Sequence, residues 1–251
     1  MPSLDELTRH LREYLRLDHV PDDARALNGL QVENSGRVDR LAVAVDACQA
    51  TIDGAADRGA NLLLVHHGLF WGGLEPIAGR HGRRIRALVR HDLALYAAHL
   101  PLDCHPEVGN NAVLGRALGL SRLAPFGDYE GIEIGVVGEA TEPLDALAAR
   151  LGERLGVDPY VIARGPARPA RVAVVTGAAS SFLREARDAG IDTFITGEGP
   201  HHTFFDAEEW GLNLIYAGHY ATETVGVKAL AEHLEGKFGI PWDFIDHPTG
   251  L

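Results

Sequence analysis

The segment RLAVAVDACQATIDGAADRGANLLLVHHG, residues 40 to 68, aligns without a gap on RVAVVTGAASSFLREARDAGIDTFITGEG, residues 171 to 199, with eight identities in 29 positions. A second pair, YAAHLPLD at 96 to 103 and YAGHYATE at 216 to 223, repeats the pattern further along. Short apolar runs, LAVAV (41 to 45), LLLV (62 to 65) and LALYAA (93 to 98), alternate with helical periodicity, so each copy reads as strand, helix, strand, helix, strand. An internally duplicated unit of this kind constrains the chain to an α/β fold of two similar halves with mainly parallel strands.

The rest of the chain fits around the repeat. Ser3 and Glu6 form a capping box ahead of Leu4, Leu7, Leu11 and Leu15, which predicts an opening amphipathic helix, and the turn-rich stretch PDDARALNGLQVENSGRV follows it. Residues 126 to 165 read as strand (IEIGVVG), helix (PLDALAARLGERLG) and strand (YVIA), a small connecting α/β segment. The expected organisation is therefore a first half at 1–125, the connector at 126–165 and a second half at 166–251.

Composition removes several classes of function. Hydrophobic residues at 46% and charged residues at 23% are those of a globular chain and exclude disorder. A net charge of −12 lacks the positive field that holds nucleic acid or anionic lipid, so neither is an expected partner. No run approaches the ~18 to 20 apolar residues of a spanning helix. Asp5 and Glu6 stand where a signal peptide needs positive charge. Cys48 and Cys104 are too few for a disulfide framework and read as small apolar residues, which makes a reducing cytoplasm the expected home.

The chemistry-bearing residues fall at equivalent places in the two copies. In the first, one strand ends in His66 and His67 and the next in His99-x-x-x-Asp103; in the second, the matching ends are Gly197-Glu198 and His219-x-x-x-Glu223. Ligands of α/β proteins gather beyond the carboxyl ends of strands, so these four ends point to one composite pocket. Imidazole and carboxylate together suit Zn, Fe, Mn, Co or Ni. His66 and His67, as strand neighbours, face opposite ways unless the chain turns at Gly68, and so suit two different ions. Six candidates, His66, His67, His99, Asp103, His219 and Glu223, exceed the three protein ligands of a mononuclear catalytic zinc, and two ions sharing a bridging carboxylate account for the surplus. Paired ions of this kind activate water against a carbonyl, imine carbon or phosphorus centre.

The blocks NGLQVEN (28 to 34), LLLVHHGLFW (62 to 71), YAAHLPLD (96 to 103), TGEG (196 to 199) and GHYATETVGVKAL (218 to 230) resemble the signature blocks of the Nif-three-like dinuclear metal-centre proteins, often labelled GTP cyclohydrolase I type 2. The resemblance spans nearly the whole chain. It implies an α/β fold of two intertwined halves, a ring-shaped homohexamer with metal sites facing an internal cavity, and metal ligands at His66, His67, Asp103, His219 and Glu223, with His99 beside the site as a further ligand or proton donor. On that footing the first expectation is a hydrolase with two divalent metal ions per chain and Glu223 bridging them. The family label suggests GTP or another nucleotide as substrate, with His99 or Glu198 moving protons. The alternative is a metal-binding or metal-delivery protein without turnover.

Several residues extend this picture. Asp46, at the end of the first strand of the repeat, is placed either to orient a metal-bound histidine or to cap the following helix. After TGEG, where some relatives carry lysine, tyrosine and histidine, this chain has Gly199-Pro200-His201-His202, which makes His202 a candidate site residue and leaves open which histidine faces the pocket. Arg80, Arg83, Arg84, Arg86 and Arg90 form either a solvated or subunit-contact face or a phosphate-binding one. No P-loop or Gly-x-Gly-x-x-Gly fingerprint occurs. His10, His19, His81, His91, His105, His233 and His247 have no convergent partners in the pattern and receive no role.

Overall fold

The structure is a computed structural model that describes residues 2–250. The chain divides into two compact units: one of the residues up to Val108 with Gly226–His247, the other of Gly109–Val225 with the residues from Pro248.

The first unit is organised around three strands that are apolar on both faces, β2 (Leu41–Asp46), β3 (Leu62–His67) and β4 (Ala94–Ala97), the pattern of strands covered on both sides. They pair in parallel, β4 beside β3 beside β2. β11 (Trp242–Phe244) extends the sheet in parallel beyond β2, and β1 (Gly29–Val32) closes the other edge antiparallel to β4. Because side chains alternate along a strand, Leu41, Val43, Leu62, Leu64 and Tyr96 enter one face while Ala42, Ala44, Leu63, Val65 and Leu95 enter the other. Leu4, Leu7 and Leu11 of α1 (Leu4–Tyr14) cover the first face together with Val227, Leu230 and Leu234 of α9 (His219–Phe238). Ile52 and Ala55 of α2 (Gln49–Asp57) and Leu88 of α3 (Gly79–Arg90) cover the second. The Ser3 hydroxyl accepts from the Glu6 amide at 3.1 Å, so α1 starts where its cap residue dictates.

The second unit repeats the central motif. β8 (Arg171–Val174), β9 (Thr193–Thr196) and β10 (Asn213–Tyr216) pair in parallel, and β7 (Tyr160–Ile162) runs antiparallel beside β10 as β1 does beside β4. Here the other flank is an antiparallel hairpin, β5 (Ser121–Tyr129) and β6 (Ile132–Glu139), joined through Glu130 and Gly131, both at positive φ. α5 (Asn110–Ala117) and α6 (Leu144–Leu155) pack Leu114, Leu147 and Leu151 against Val172, Val174, Ile195 and Ile215. α7 (Leu183–Asp188), α8 (Thr203–Trp210) and the short α4 (Leu100–Asp103) of the first unit complete the elements.

The fold is mixed α/β with a repeated three-strand parallel core, and two expectations need correction. Residues 126–165 are not a connector: β6 and β7 are flanking strands of the second sheet, to which their ladders bind them. The boundaries expected at 125 and 165 give way to a crossing of the chain, since α9 starts in the second unit and ends in the core of the first. Both sheets are mixed, with antiparallel strands on their flanks. Among the described residues no helix is long and apolar enough to cross a membrane.

Candidate functional site

In the first unit the donors cluster where β3 and β4 end. β3 lies between β2 and β4, and its last two histidines lean on different neighbours: His66 Nδ1 lies 2.9 Å from the Ala98 carbonyl oxygen, His67 Nδ1 2.9 Å from Asp46 Oδ1. The two rings come to 4.7 Å between centroids, and Gly68 is not in the left-handed region. Gly68 matters for a different reason. A Cβ on it would fall 2.2 Å from the Gln31 side chain, whose Oε1 accepts the Leu69 amide.

His99 precedes α4 and Asp103 ends it, so the His-x-x-x-Asp spacing sets both residues on one helical turn. His99 Nδ1 sits 2.6 Å from Asp22 Oδ1, and Trp71 lies edge-on to the ring at 4.7 Å. One ring nitrogen of each of His66, His67 and His99 lies within 4.8 Å of the others. Carbonyl and carboxylate oxygens only accept, so the three Nδ1 atoms donate, and in that tautomer Nε2 is the ring nitrogen with a lone pair able to bind a metal. Burial pushes the Asp22 carboxyl up, but hydrogen bonds from His99, Asn28 and the Asp23 amide more than offset this and hold it below the usual carboxylate range.

The second unit carries the other pair. His219 and Glu223 stand one turn apart at the start of α9, with His219 Nε2 3.2 Å from Glu223 Oε1 and His219 Nδ1 2.6 Å from Glu198 Oε1. The hydrogen bond to Glu223 outweighs burial, and with help from Glu198 the imidazole is pushed up to about 9. Glu223 is buried, and Gly177, at φ +69, makes room for it: a Cβ there would lie 2.4 Å from Glu223 Oε1. Gly177 aligns with Asp46 in the repeat, and Glu198 with His67. The orienting carboxylate has therefore moved from the first strand of the core in one copy to the second strand in the other.

The donors fit a divalent ion. Two ligands held 2.0 to 2.2 Å from one ion at angles between 90° and tetrahedral lie roughly 2.8 to 3.6 Å apart. His66 Nε2 is 3.5 Å from Asp103 Oδ2, and His219 Nε2 is 3.2 Å from Glu223 Oε1, so each of these two histidine–carboxylate contacts, the second of them the His-x-x-x-Glu pair, has the edge length of two ligands on one ion. All four imidazoles are oriented through Nδ1, three of them by carboxylates.

The remaining candidates divide. Asp46 both orients His67 and accepts, through its backbone carbonyl, the Thr51 hydroxyl at the start of α2. Glu198 holds His219 Nδ1, the place of an orienting group. His202 is exposed at the start of α8 and makes no hydrogen bond or ring contact with His219, Glu198 or Glu223; His201 packs edge-on to Phe205 at 5.5 Å. The five arginines from Arg80 to Arg90 form no ion pair among the described residues, and all but Arg84 are exposed. Cys48 and Cys104 are unpaired.

Two groups escaped the sequence reading. His10, His105 and His233 do converge: His10 Nε2 is 2.9 Å from His233 Nε2, and Tyr14 stacks on His233 at 4.0 Å and packs on His105 at 4.3 Å. The helical spacing of His10 and Tyr14 was visible, but their partner lies more than two hundred residues away. Asp22 had no signal beyond its place in a turn-rich stretch.

The family profile of DUF34/NIF3 (NGG1p interacting factor 3) matches residues 2–249. A GTP cyclohydrolase 1 type 2 homolog from Deinococcus radiodurans is 48% identical over 98% of this chain and 94% of its own length, and one from Pyrococcus abyssi is 47% identical over 98% and 99%. A crystal structure of a Thermus thermophilus protein superposes with a TM-score of 0.93 at 47% identity, covering 99% of this chain and all of that one. The chain belongs to the DUF34/NIF3 family.

Proposed function

We propose that this chain is a divalent-metal-dependent hydrolase in which His66, His67 and Asp103 of the first unit and His219 and Glu223 of the second would hold the metal ions. The observation that carries the reading is the common orientation of the imidazoles: each Nδ1 faces a protein acceptor, the way metal-binding histidines are oriented, and carboxylates stand at ligand spacing from His66 and His219. Such ions, when bound, lower the pKa of water toward neutrality and polarise an electrophilic carbon or phosphorus centre. The chain's own residues do the rest. Asp46 and Glu198 fix the ring planes of His67 and His219, His99 is the group placed to carry a proton, and Trp71 shields it on one side.

The relatives' name points to GTP as the substrate class, with opening of a nitrogen heterocycle as the reaction. Further copies of this chain, in a homohexamer, are the expected partners, with a cytoplasmic setting and no role for nucleic acid or membrane. The test is a screen of GTP and other nucleotides with the Zn, Mn, Fe, Co and Ni forms. Chelator-sensitive turnover is expected, and His99→Ala should keep its metal yet lose about 10² to 10⁴ in rate, the usual worth of a positioned acid or base. No chelator-sensitive turnover with any form would overturn the hydrolase and leave a metal-delivery protein.

A further inference from the structure

We infer that Asp22 is the positioning residue of His99: it locks the imidazole in the tautomer with the proton on Nδ1 and presents a bare Nε2 beside His66 and His67. The inference deepens the hydrolase reading, which supplies the reason for His99 to be held, but its geometry stands within one unit.

The Asp22 side chain is only 7% exposed and accepts four hydrogen bonds. Oδ1 takes His99 Nδ1 at 2.6 Å and the Asp23 amide at 2.7 Å; Oδ2 takes Asn28 Nδ2 at 2.7 Å and the Leu100 amide at 3.0 Å. A carboxylate has about four acceptor sites, so this one is saturated. Asn28 closes the ring from the other side, since its Oδ1 accepts the His99 backbone amide at 2.8 Å. His99 is thus gripped at its backbone and at Nδ1 by the same two residues. Its ring plane is further confined by Trp71, edge-on at 4.7 Å, and by His66 at 4.9 Å. The arrangement matches the Asp46 to His67 and Glu198 to His219 contacts, so His99 is prepared in the same manner as the proposed metal ligands.

The network dictates what Asp22→Asn does. The substituted amide offers one oxygen and one NH₂ to four donors. Two of those donors, the Asp23 and Leu100 amides, are backbone and cannot change. Turning the NH₂ toward Asn28 would force Asn28 to flip and forfeit the His99 backbone bond. Either orientation also gives up one backbone amide, that of Leu100 in the first case and of Asp23 in the second, and beyond that, turning the NH₂ toward His99 requires only that the ring proton move from Nδ1 to Nε2. The second is the smaller disruption, so the variant should hold His99 in the wrong tautomer with its ring in place, the known effect of replacing the carboxylate in a serine-protease triad by an amide.

The experiment is solid-state ¹⁵N NMR of metal-free protein labelled at histidine, which works at any assembly size, with His99 identified by difference from His99→Gln. The wild-type protein should show His99 with Nδ1 protonated and Nε2 bare, and Asp22→Asn should reverse the two. Asp22→Asn should also bind Zn within about threefold of wild type, because the residues at ligand spacing are untouched; if it turns over substrate, the rate should fall about 10² to 10⁴-fold. A wild-type His99 protonated on Nε2, or an unchanged pattern in the variant, overturns the inference. So does a loss of Zn as large as that of His66→Ala, which would make Asp22 a structural support. The wild-type spectrum decides the first point even where the variant does not fold. A protein that shows these tautomers but no turnover contradicts the hydrolase reading and leaves this one intact.

Discussion

Gly177→Ala separates the backbone demands of the fold from the demands of the site. Gly177 and Gly59 share a φ of +69, but an added Cβ meets nothing within 4 Å at Gly59, whereas at Gly177 it falls 2.4 Å from Glu223 Oε1 and 3.5 Å from His219 Nε2. A left-handed alanine costs about 1 to 2 kcal/mol at either position. In a protein of this size that is about 2 to 8 °C in Tm. At Gly177 the carboxylate must also retreat by roughly 1 Å to reach ordinary contact distance. Metal ligands tolerate displacements of only about 0.2 Å, and disturbance of a ligand's support weakens binding about 10 to 100-fold. Isothermal titration with Zn alongside thermal melts reads both quantities. Gly59→Ala should lose stability and keep its affinity; Gly177→Ala should lose both. Equal Zn affinity in the two variants would refute the claim that Gly177 exists to admit Glu223.

Other outcomes follow from the same contacts. Glu223→Gln should lower occupancy at both ions, while Asp103→Asn should weaken one, as metal analysis of each variant will show. Tyr96 is 1% exposed and its hydroxyl has no hydrogen-bond partner among the described residues, so Tyr96→Phe should raise Tm by relieving an unpaired polar group worth about 1 to 3 kcal/mol. Burial holds His10, His105 and His233 below their ordinary 6.5, with the charge of Lys237 adding to it at His10 and His233. The unfolded chain therefore binds more protons than the folded one between those depressed values and 6.5. Stability should be full above 6.5 and decline on acidification through that window, and His10→Gln with His233→Gln should flatten the Tm profile there.

The repeat made the core of each sheet legible, because strands covered on both faces must be apolar throughout and the two copies share that need. Of the flanking strands, β6 and β7 were legible as strands though not as members of the second sheet, while β1, β5 and β11 were not legible. β5 carries Pro125 and Gly127, which an edge strand tolerates and a pattern of apolar residues does not register. β11 is three residues long, and β1 lies inside a stretch dominated by turn residues. His219 and Glu223 stood out because His-x-x-x-carboxylate is a local spacing that one helical turn converts into proximity, whereas the contact of Asp103 with His66 joins residues far apart in the chain. Asp22 is 77 residues from His99, and the His10 to His233 contact is longer still; pairing of that range belongs to the tertiary fold.

The central claim is that the histidine and carboxylate donors of this chain hold paired divalent ions. Elemental analysis of protein purified without chelator and saturated with Zn or Mn tests it most directly. The account predicts about two ions per chain, falling toward one in Asp103→Asn. Saturation of the wild-type protein at one ion per chain, or none, would contradict it.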